Sequence, residues 1–131
     1  MPGVVVYDAG ALVAAERDDR RFLARHREFL RREDRLLVPA PVLTQVWRGG
    51  GRQVSLARVL RACEVIATTE AVARRAGLLL AGSRTTDAVD AIVATTAVLD
   101  RASIVVTSDP DDLHRLLSEA DEHSSPGLLV V

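Results

Sequence analysis

The stretch VVVYDAGALVAA, residues 4–15, places a carboxylate directly behind an apolar run. Residues 4–7 are continuously apolar, which is typical of a strand covered on both faces of a parallel sheet. Asp8 follows this strand, and small apolar residues of a predicted helix over 10–16 come next. Ligands of parallel α/β sheets bind at the carboxyl ends of the strands. The stretch therefore predicts a buried first strand that ends in a polar site.

Strand-like and helix-like segments alternate along the rest of the chain. Further strands are predicted at 36–38, 65–67, 104–107 and 128–131. Further helices are predicted at 20–32, 41–48, 55–61, 70–80, 87–99 and 111–117, with Gly82 and Ser83 interrupting the chain after the fifth of the seven helices. Residues 119–125 are polar and linker-like. This alternation predicts an α/β domain with a parallel sheet covered on both faces.

Length and composition limit the possible classes of protein. The chain has 131 residues, of which 48% are hydrophobic, so we expect one ordered domain over 1–131. No apolar run reaches the eighteen or more residues of a membrane span, and no secretory signal is recognisable, so a cytoplasmic protein without membrane contact is expected. The single Cys63 is interpreted as a buried structural thiol.

The basic residues are distributed unevenly. The formal net charge is −1, all 17 basic residues are arginine, and eight of them fall between Arg17 and Arg35. Acidic residues are interspersed there, so this segment is either a solvated helix face or a surface that meets phosphates or an acidic partner. A near-neutral chain is not typical of a dedicated high-affinity nucleic-acid binder.

Three acidic sites stand out. They are Asp8, the pair Asp87 and Asp90, and the segment SDPDD, which contains Asp109, Asp111 and Asp112. Asp87 and Asp90 share a helix face at their spacing. Taken singly, Asp8, Asp87 and Asp109 could each be a helix N-cap, and Pro110 favours a helix start after Asp109.

Taken together, the carboxylates indicate a cation site. Several of them at one end of a parallel sheet repel one another unless a cation neutralises them, and sites made of oxygen ligands suit Mg²⁺ or Mn²⁺. Such sites activate water and hold a phosphodiester during displacement. Zinc-type Cys/His spacing, a Cys/His nucleophile pair and a phosphate-binding glycine loop with lysine are absent from the sequence. A phospho-acceptor domain of the response-regulator type needs a lysine, and this chain has none.

Four blocks in this order resemble PIN-domain ribonucleases, in particular VapC-like toxins of bacterial toxin–antitoxin pairs. The blocks are VVVYDAGALVA, VPAPVLTQVWRGG, DAVDAIVATTA and IVVTSDPDDL, and they span nearly the whole chain. The resemblance implies a three-layer α/β/α fold with a central parallel sheet. It also implies Mg²⁺- or Mn²⁺-dependent cleavage of RNA, inhibition by a small antitoxin, and a homodimer.

The resemblance also assigns roles to residues. Asp8, Asp90 and Asp109 match the first, third and fourth acidic positions of the family, and Asp87 and Asp112 match accessory carboxylates that would also contact the metal. The second acidic position is occupied by Gln45. Glutamine keeps an acceptor oxygen but has no charge and cannot act as a base.

Gln45 leaves two interpretations open. Either Asp8, Asp90 and Asp109 hold the metal while Asp87 supplies the missing charge and Gln45 orients water or substrate, or the protein is a weakened binding module that holds an antitoxin or RNA without cleavage. The first interpretation is favoured because the other carboxylates remain.

Residues around Gln45 and in the N-terminal helices are assigned to binding. Arg48 and Arg52 could contact substrate phosphates, although Arg48 could instead be favoured by a helix C-terminus. Trp47 is interpreted as a core or dimer-interface residue rather than as a base-stacking platform. By the same resemblance, the segment 10–32 would form part of the antitoxin groove.

Overall fold

Five parallel strands form one sheet in the computed structural model, which describes residues 2–120 and 125–131. They are β1 (Val4–Tyr7), β2 (Arg35–Pro39), β3 (Glu64–Ile66), β4 (Ile104–Thr107) and β5 (Gly127–Val130). Their order across the sheet is β3-β2-β1-β4-β5, and every neighbouring pair is parallel. Strand β1 is central and is buried at Val5, Val6 and Tyr7, as its continuous apolar pattern predicts.

Helices cover both faces of the sheet. Within the same residues they are α1 (Ala9–Glu16), α2 (Arg20–Arg31), α3 (Ala40–Val46), α4 (Val54–Leu60), α5 (Glu70–Ser83), α6 (Ala88–Leu99) and α7 (Pro110–Glu119). Helix α1 packs against α2, α3 and α4, whereas α6 packs against α5, α7 and the strands β1 and β2. The predicted three-layer α/β/α fold with a central parallel sheet is therefore confirmed. Over the described residues, no helix combines the length and the apolar character that crossing a membrane requires.

Three predicted helix ends, those of α3, α5 and α7, are wrong by more than one residue. Helix α7 ends at Glu119 instead of Leu117. Helix α3 ends at Val46 instead of continuing to Arg48, because the backbone of Trp47 is extended. Helix α5 continues through Gly82 to Ser83, and it stops where Arg84 adopts a left-handed conformation. A Cβ at position 82 would meet only the flexible end of the Glu119 side chain of α7, which can move aside, and the glycine does not break α5. Most remaining ends differ by one residue, which is the usual uncertainty of helix and strand limits. Of the predicted polar linker, residues 121–124 lie outside the described residues.

A buried polar pair joins β1 to α2. The Tyr7 hydroxyl lies 2.8 Å from Nδ1 of His26, and the Tyr7 ring makes an edge contact with Phe22. Burial raises the pKa of Tyr7 and lowers the pKa of His26, so both groups are neutral around pH 7. The half-buried thiol of Cys63 donates to the Val59 carbonyl at 3.4 Å, and burial raises the pKa of Cys63 to about 12. This agrees with a structural thiol.

Gln53 organises the corner between α3 and α4. It ends a 3₁₀ turn over Gly51–Gln53, and its side chain is buried. Its Oε1 accepts from the backbone amides of Arg48 and Gly49 at 2.8 and 2.9 Å. Its Nε2 donates to the Val46 carbonyl and to Glu16 Oε1 at 2.8 and 2.9 Å. One amide group therefore satisfies the end of α3 and fixes the path of the glycine-rich corner.

We expect Gln53→Met to lower the free energy of unfolding by about 2 kcal/mol or more. The apolar side chain fills a similar space but leaves the Val46 carbonyl and two backbone amides without their partner, and each buried unsatisfied group costs about 1–3 kcal/mol. Chemical denaturation measures the loss. Arg52→Met is the matched control because Arg52 is exposed on the same turn, and equal effects of the two substitutions would contradict this role of Gln53.

Candidate active site

Asp8 is buried at the carboxyl end of β1, with 4% of its surface exposed. It is the N-cap of α1, and its Oδ1 accepts from the Gly10 amide at 2.8 Å. Its Oδ2 accepts from the Thr107 hydroxyl at 2.6 Å. Burial raises the pKa of Asp8, the two hydrogen bonds oppose this rise, and the charges of Asp109 and Asp87 add to it. Asp8 is thus both a helix cap and a carboxylate that faces other acids.

Thr107 links the two strand ends that carry acids. Besides donating to Asp8, its Oγ1 accepts from the Asp109 amide at 2.9 Å. The turn after β1 and the loop after β4 also touch closely, because a Cβ at Gly10 would lie 2.6 Å from the Ser108 amide nitrogen. A glycine is therefore required at position 10 for this approach. Thr107 and Gly10 were not among the predicted site residues.

Three carboxylates converge beside this junction. One oxygen each from Asp90, Asp109 and Asp112 lies within 4.8 Å of the others. Asp90 is in the first turn of α6, and Asp112 is in the first turn of α7. Asp109 occupies the N-cap position of α7 but makes no capping hydrogen bond through its side chain. Its carboxylate is therefore not used as a cap.

The electrostatics of Asp90 reflect this crowding. Partial burial is the largest cause of its raised pKa. The charges of four other carboxylates raise the pKa further, to about 7; they belong to Asp87, Asp8, Asp109 and Asp112. Like charges that face one another destabilise the ionised form of each. The four neighbours named here are the acids predicted to form the site, so all five predicted aspartates interact at this edge of the sheet.

Asp87 and Gln45 lie at the periphery. Asp87 is the exposed N-cap of α6, where its Oδ1 accepts from the Asp90 amide at 3.0 Å, so it positions the backbone that carries Asp90. Gln45 is exposed on α3 and lines an open depression of about 480 Å³ together with Val89, the residue before Asp90. The predicted contribution of Asp87 to metal binding and the predicted role of Gln45 in orienting water or substrate stay predictions.

The two arginines predicted to bind substrate differ in their surroundings. Arg48 folds back on α3, and its guanidinium donates to the carbonyls of Thr44, Gln45 and Trp47 at 3.1, 3.3 and 2.8 Å. It therefore caps the end of the helix, as the alternative interpretation proposed. Arg52 is exposed on the 3₁₀ turn.

The donor set suits a hard divalent cation. Three carboxylate oxygens at mutual contact distance are ligands that Mg²⁺ and Mn²⁺ prefer. The raised pKa of Asp90 indicates that the negative charge there is not compensated by protein groups. Asp8 keeps free lone pairs although both of its oxygens accept hydrogen bonds. Asp90, Asp109 and Asp112, with Asp8 behind them, fit such an ion.

The fold and this cluster define an α/β protein with an acidic site at the carboxyl edge of a parallel sheet. Comparison with known proteins identifies the family. The family model described as the PIN domain matches residues 5–117, so the chain belongs to the PIN domain family. PIN domains are generally nucleases.

A solved structure has the same fold. It is a chain of the crystal structure of VapBC2 from Rickettsia felis bound to a DNA fragment from their promoter. The match covers 98% of this chain and 97% of that chain, with a TM-score of 0.70 and 16% sequence identity. At this identity the likeness shows the fold alone. The chain has no significant match among curated proteins.

We expect Thr107→Val to lower the free energy of unfolding by about 1–3 kcal/mol. The substitution preserves the shape of the buried side chain but leaves Oδ2 of Asp8 and the Asp109 amide each without its partner. Denaturant titration measures the loss. Thr107→Ser is the matched control because it keeps the hydroxyl, and a serine variant as unstable as the valine variant would show that packing, not the hydroxyl, matters here.

The effect of Asp90→Asn on stability should depend on pH in the absence of divalent cations. A carboxyl whose pKa is raised in the folded state stabilises the fold while it is protonated, and this stability is lost as pH rises through the folded pKa, here about 7. The amide does not ionise. The variant should therefore gain stability relative to the natural protein as pH rises from about 4 to about 7, the interval between the ordinary and the raised pKa, and the difference should level off above pH 7.

Urea unfolding at several pH values, with a chelator present, measures this difference. Comparing Asp90→Asn with the natural protein at each pH cancels the contribution of His26 to the pH dependence of stability. That contribution has the opposite sign because the pKa of His26 is lowered. Asp111→Asn is the control, since Asp111 is exposed in the first turn of α7 and outside the cluster of three carboxylates. A difference that does not change with pH for Asp90→Asn would contradict the raised pKa.

Proposed function

We propose that this protein is a Mg²⁺- or Mn²⁺-dependent endoribonuclease and the toxin of a toxin–antitoxin pair. The observation that carries the proposal is the convergence of Asp90, Asp109 and Asp112 within 4.8 Å, next to buried Asp8, in a chain of the PIN domain family. A cation bound there would supply Lewis-acid activation of a water molecule and of the phosphodiester.

The aspartates have different proposed roles, which follow from their positions. Asp90, Asp109 and Asp112 would hold the ion, because they form the compact group of oxygens. Asp8 adds charge from behind and is held by Thr107 and the Gly10 amide, so its carboxylate is fixed before any ligand arrives. Asp87 acts through the backbone of Asp90 and through its charge.

Gln45 does not by itself argue against cleavage. The group of three carboxylates is complete without it, and Asp112 contributes a third oxygen from α7. Gln45 is exposed on the wall of the depression that α3 shares with Val89. From there its amide can donate to or accept from a water or a ribose. We propose this orienting role for it.

The proposed protein partner would be an antitoxin. A groove of about 290 Å³ between α2 and α4 is lined by the apolar residues Leu23, Leu30, Val59 and Ala62. An amphipathic helix could insert its apolar face there. The solved relative is a VapBC2 complex, which supports this choice of partner. We further propose a homodimer that acts in the cytoplasm.

Two measurements on the purified chain test the proposed activity. Calorimetry with Mn²⁺ should detect binding, and a pool of structured RNAs should be cut only when the ion is present. Asp90→Asn and Asp8→Asn should each reduce cleavage by about 100-fold or more, since metal stabilisation of transition-state charge is worth several kcal/mol. Asp111→Asn should cleave like the natural protein.

Variants of the peripheral residues separate the proposal from the binding-module alternative. If the natural chain binds no Mn²⁺ and cuts no RNA, whereas Gln45→Glu does both, the natural protein is a binding module whose missing charge is at position 45. If Asp87→Asn leaves Mn²⁺ affinity unchanged, Asp87 does not compensate for Gln45, and Asp112 is the residue that completes the site.

A further inference from the structure

The corner between α3 and α4 carries an exposed aromatic surface that the acidic site does not use. Trp47 follows the end of α3 and is 43% exposed, so its interpretation as a core residue is wrong, whereas its interpretation as a dimer-interface residue stays a prediction. A depression of about 190 Å³ lies beside its ring. Its walls and floor, here called the Trp47 basin, are formed by Trp47, Gly50, Gln53, Val54, Ala57, Arg58 and Arg61.

The chemistry of this basin matches a nucleotide. Val54 and Ala57 provide apolar lining, and two guanidinium groups come from Arg58 in the last turn of α4 and from Arg61 at its C-cap, three residues apart. Stacking of a base on an aromatic ring combined with arginine contacts to phosphates is the usual way in which proteins hold single-stranded nucleic acid.

One acid lies next to the basin, Glu16, and its carboxylate accepts from Gln53 Nε2 at 2.9 Å rather than from either arginine. Among the described residues, neither Arg58 nor Arg61 forms an ion pair, and none of the residues that line the basin is acidic. Asp18 lies in the neighbouring groove that Arg58 also borders, but its Oδ1 accepts from the Ser55 hydroxyl at 2.6 Å. The basin therefore favours a polyanion with flat rings over an apolar or cationic partner.

The basin is also held in shape before any ligand binds. The four hydrogen bonds of Gln53 fix the corner that presents Trp47, and the Arg48 guanidinium caps the carbonyls at the same corner. A surface that is ordered in advance loses less conformational entropy on binding. Trp47 also follows Gln45 by two residues, so the basin is attached to the helix that borders the acidic site.

We propose that the Trp47 basin binds one nucleotide of a single-stranded RNA segment, with the base stacked on Trp47 and its phosphates held by Arg58 and Arg61. The inference rests on the proposed ribonuclease function in so far as the bound strand is the substrate. It assigns Arg58 and Arg61, rather than Arg48, to the phosphate contacts beyond the acidic site.

Trp47 itself provides the test, because it is the only tryptophan in the chain. A random-sequence RNA hexanucleotide is titrated into the full chain with a chelator present, so that binding is measured without cleavage. Stacking should quench the tryptophan fluorescence to saturation. Raising the salt concentration should weaken binding, and Arg58→Gln and Arg61→Gln should each reduce the slope of log affinity against log salt by about 0.7.

Variants at position 47 measure the contribution of stacking. With a fluorescently labelled hexanucleotide followed by anisotropy, Trp47→Ala should weaken binding by about 5-fold to 100-fold, and Trp47→Phe should retain most of the affinity. Arg101→Gln, in the turn before β4, is the matched control for loss of an exposed arginine and should bind as the natural protein does. Thermal unfolding of each variant verifies that it is folded.

The outcomes separate this inference from the proposed function. If the natural protein cleaves RNA without quenching, and Trp47→Ala binds with unchanged affinity, nucleotide binding in the Trp47 basin is contradicted and the proposed nuclease activity is not. If RNA quenches the natural protein and Trp47→Ala loses affinity, but the natural protein cuts no RNA, binding in the basin is supported and the proposed nuclease activity is contradicted. Quenching by an oligoglutamate peptide but not by RNA would overturn the inference, because the basin would then be a protein-binding surface.

Discussion

The hydrogen bond from Thr107 to Asp8 holds together the part of the molecule on which the site depends. It joins residues that are 99 positions apart, at the carboxyl ends of the neighbouring strands β1 and β4. The same hydroxyl accepts from the Asp109 amide, and Gly10 lets the two turns approach. Because these contacts share one small region, the buried carboxylate of Asp8 is oriented by the fold itself. The other acids then gather around a fixed point.

Most of the fold could be predicted because buried parallel strands have a simple signature. The segments around β1 and β4 are continuously apolar, and each ends in a polar residue followed by a helix. The errors have a different origin. Gly82 was interpreted as a break, yet α5 continues through it to Ser83 and packs against α7, which only the tertiary structure reveals. The end of α3 depends on Gln53. The partners of Gln53 include Glu16, which lies before α3 in the sequence, and Arg48, which follows it.

The acidic residues of the candidate site could be predicted from the sequence, but the residues that hold them in place could not. One oxygen of Asp8 caps α1, as one interpretation predicted, and the other accepts from Thr107, so the cap does not use the whole carboxylate and its role in the site stays a prediction. Thr107 resembles any β-branched strand residue, so nothing in its type marks it. Its place two residues before Asp109 was the available signal, because threonine hydroxyls often accept from an amide two residues ahead.

The arrangement of charge in this cluster lowers the stability of the fold, so a requirement of function would explain why the cluster is kept. Asp90 faces four other carboxylates, and its pKa of about 7 shows that ionising it opposes folding when no cation is present. Local rules of protein structure are commonly violated where function requires it. A glutamine at position 45 reduces the total negative charge while Asp112 completes the oxygen set from α7. In the proposed metal site, α3 would not need to supply a ligand. Trp47 at the C-cap of α3 lies beside Arg58 and Arg61, so this short helix would connect the proposed cleavage site with the proposed nucleotide-binding basin.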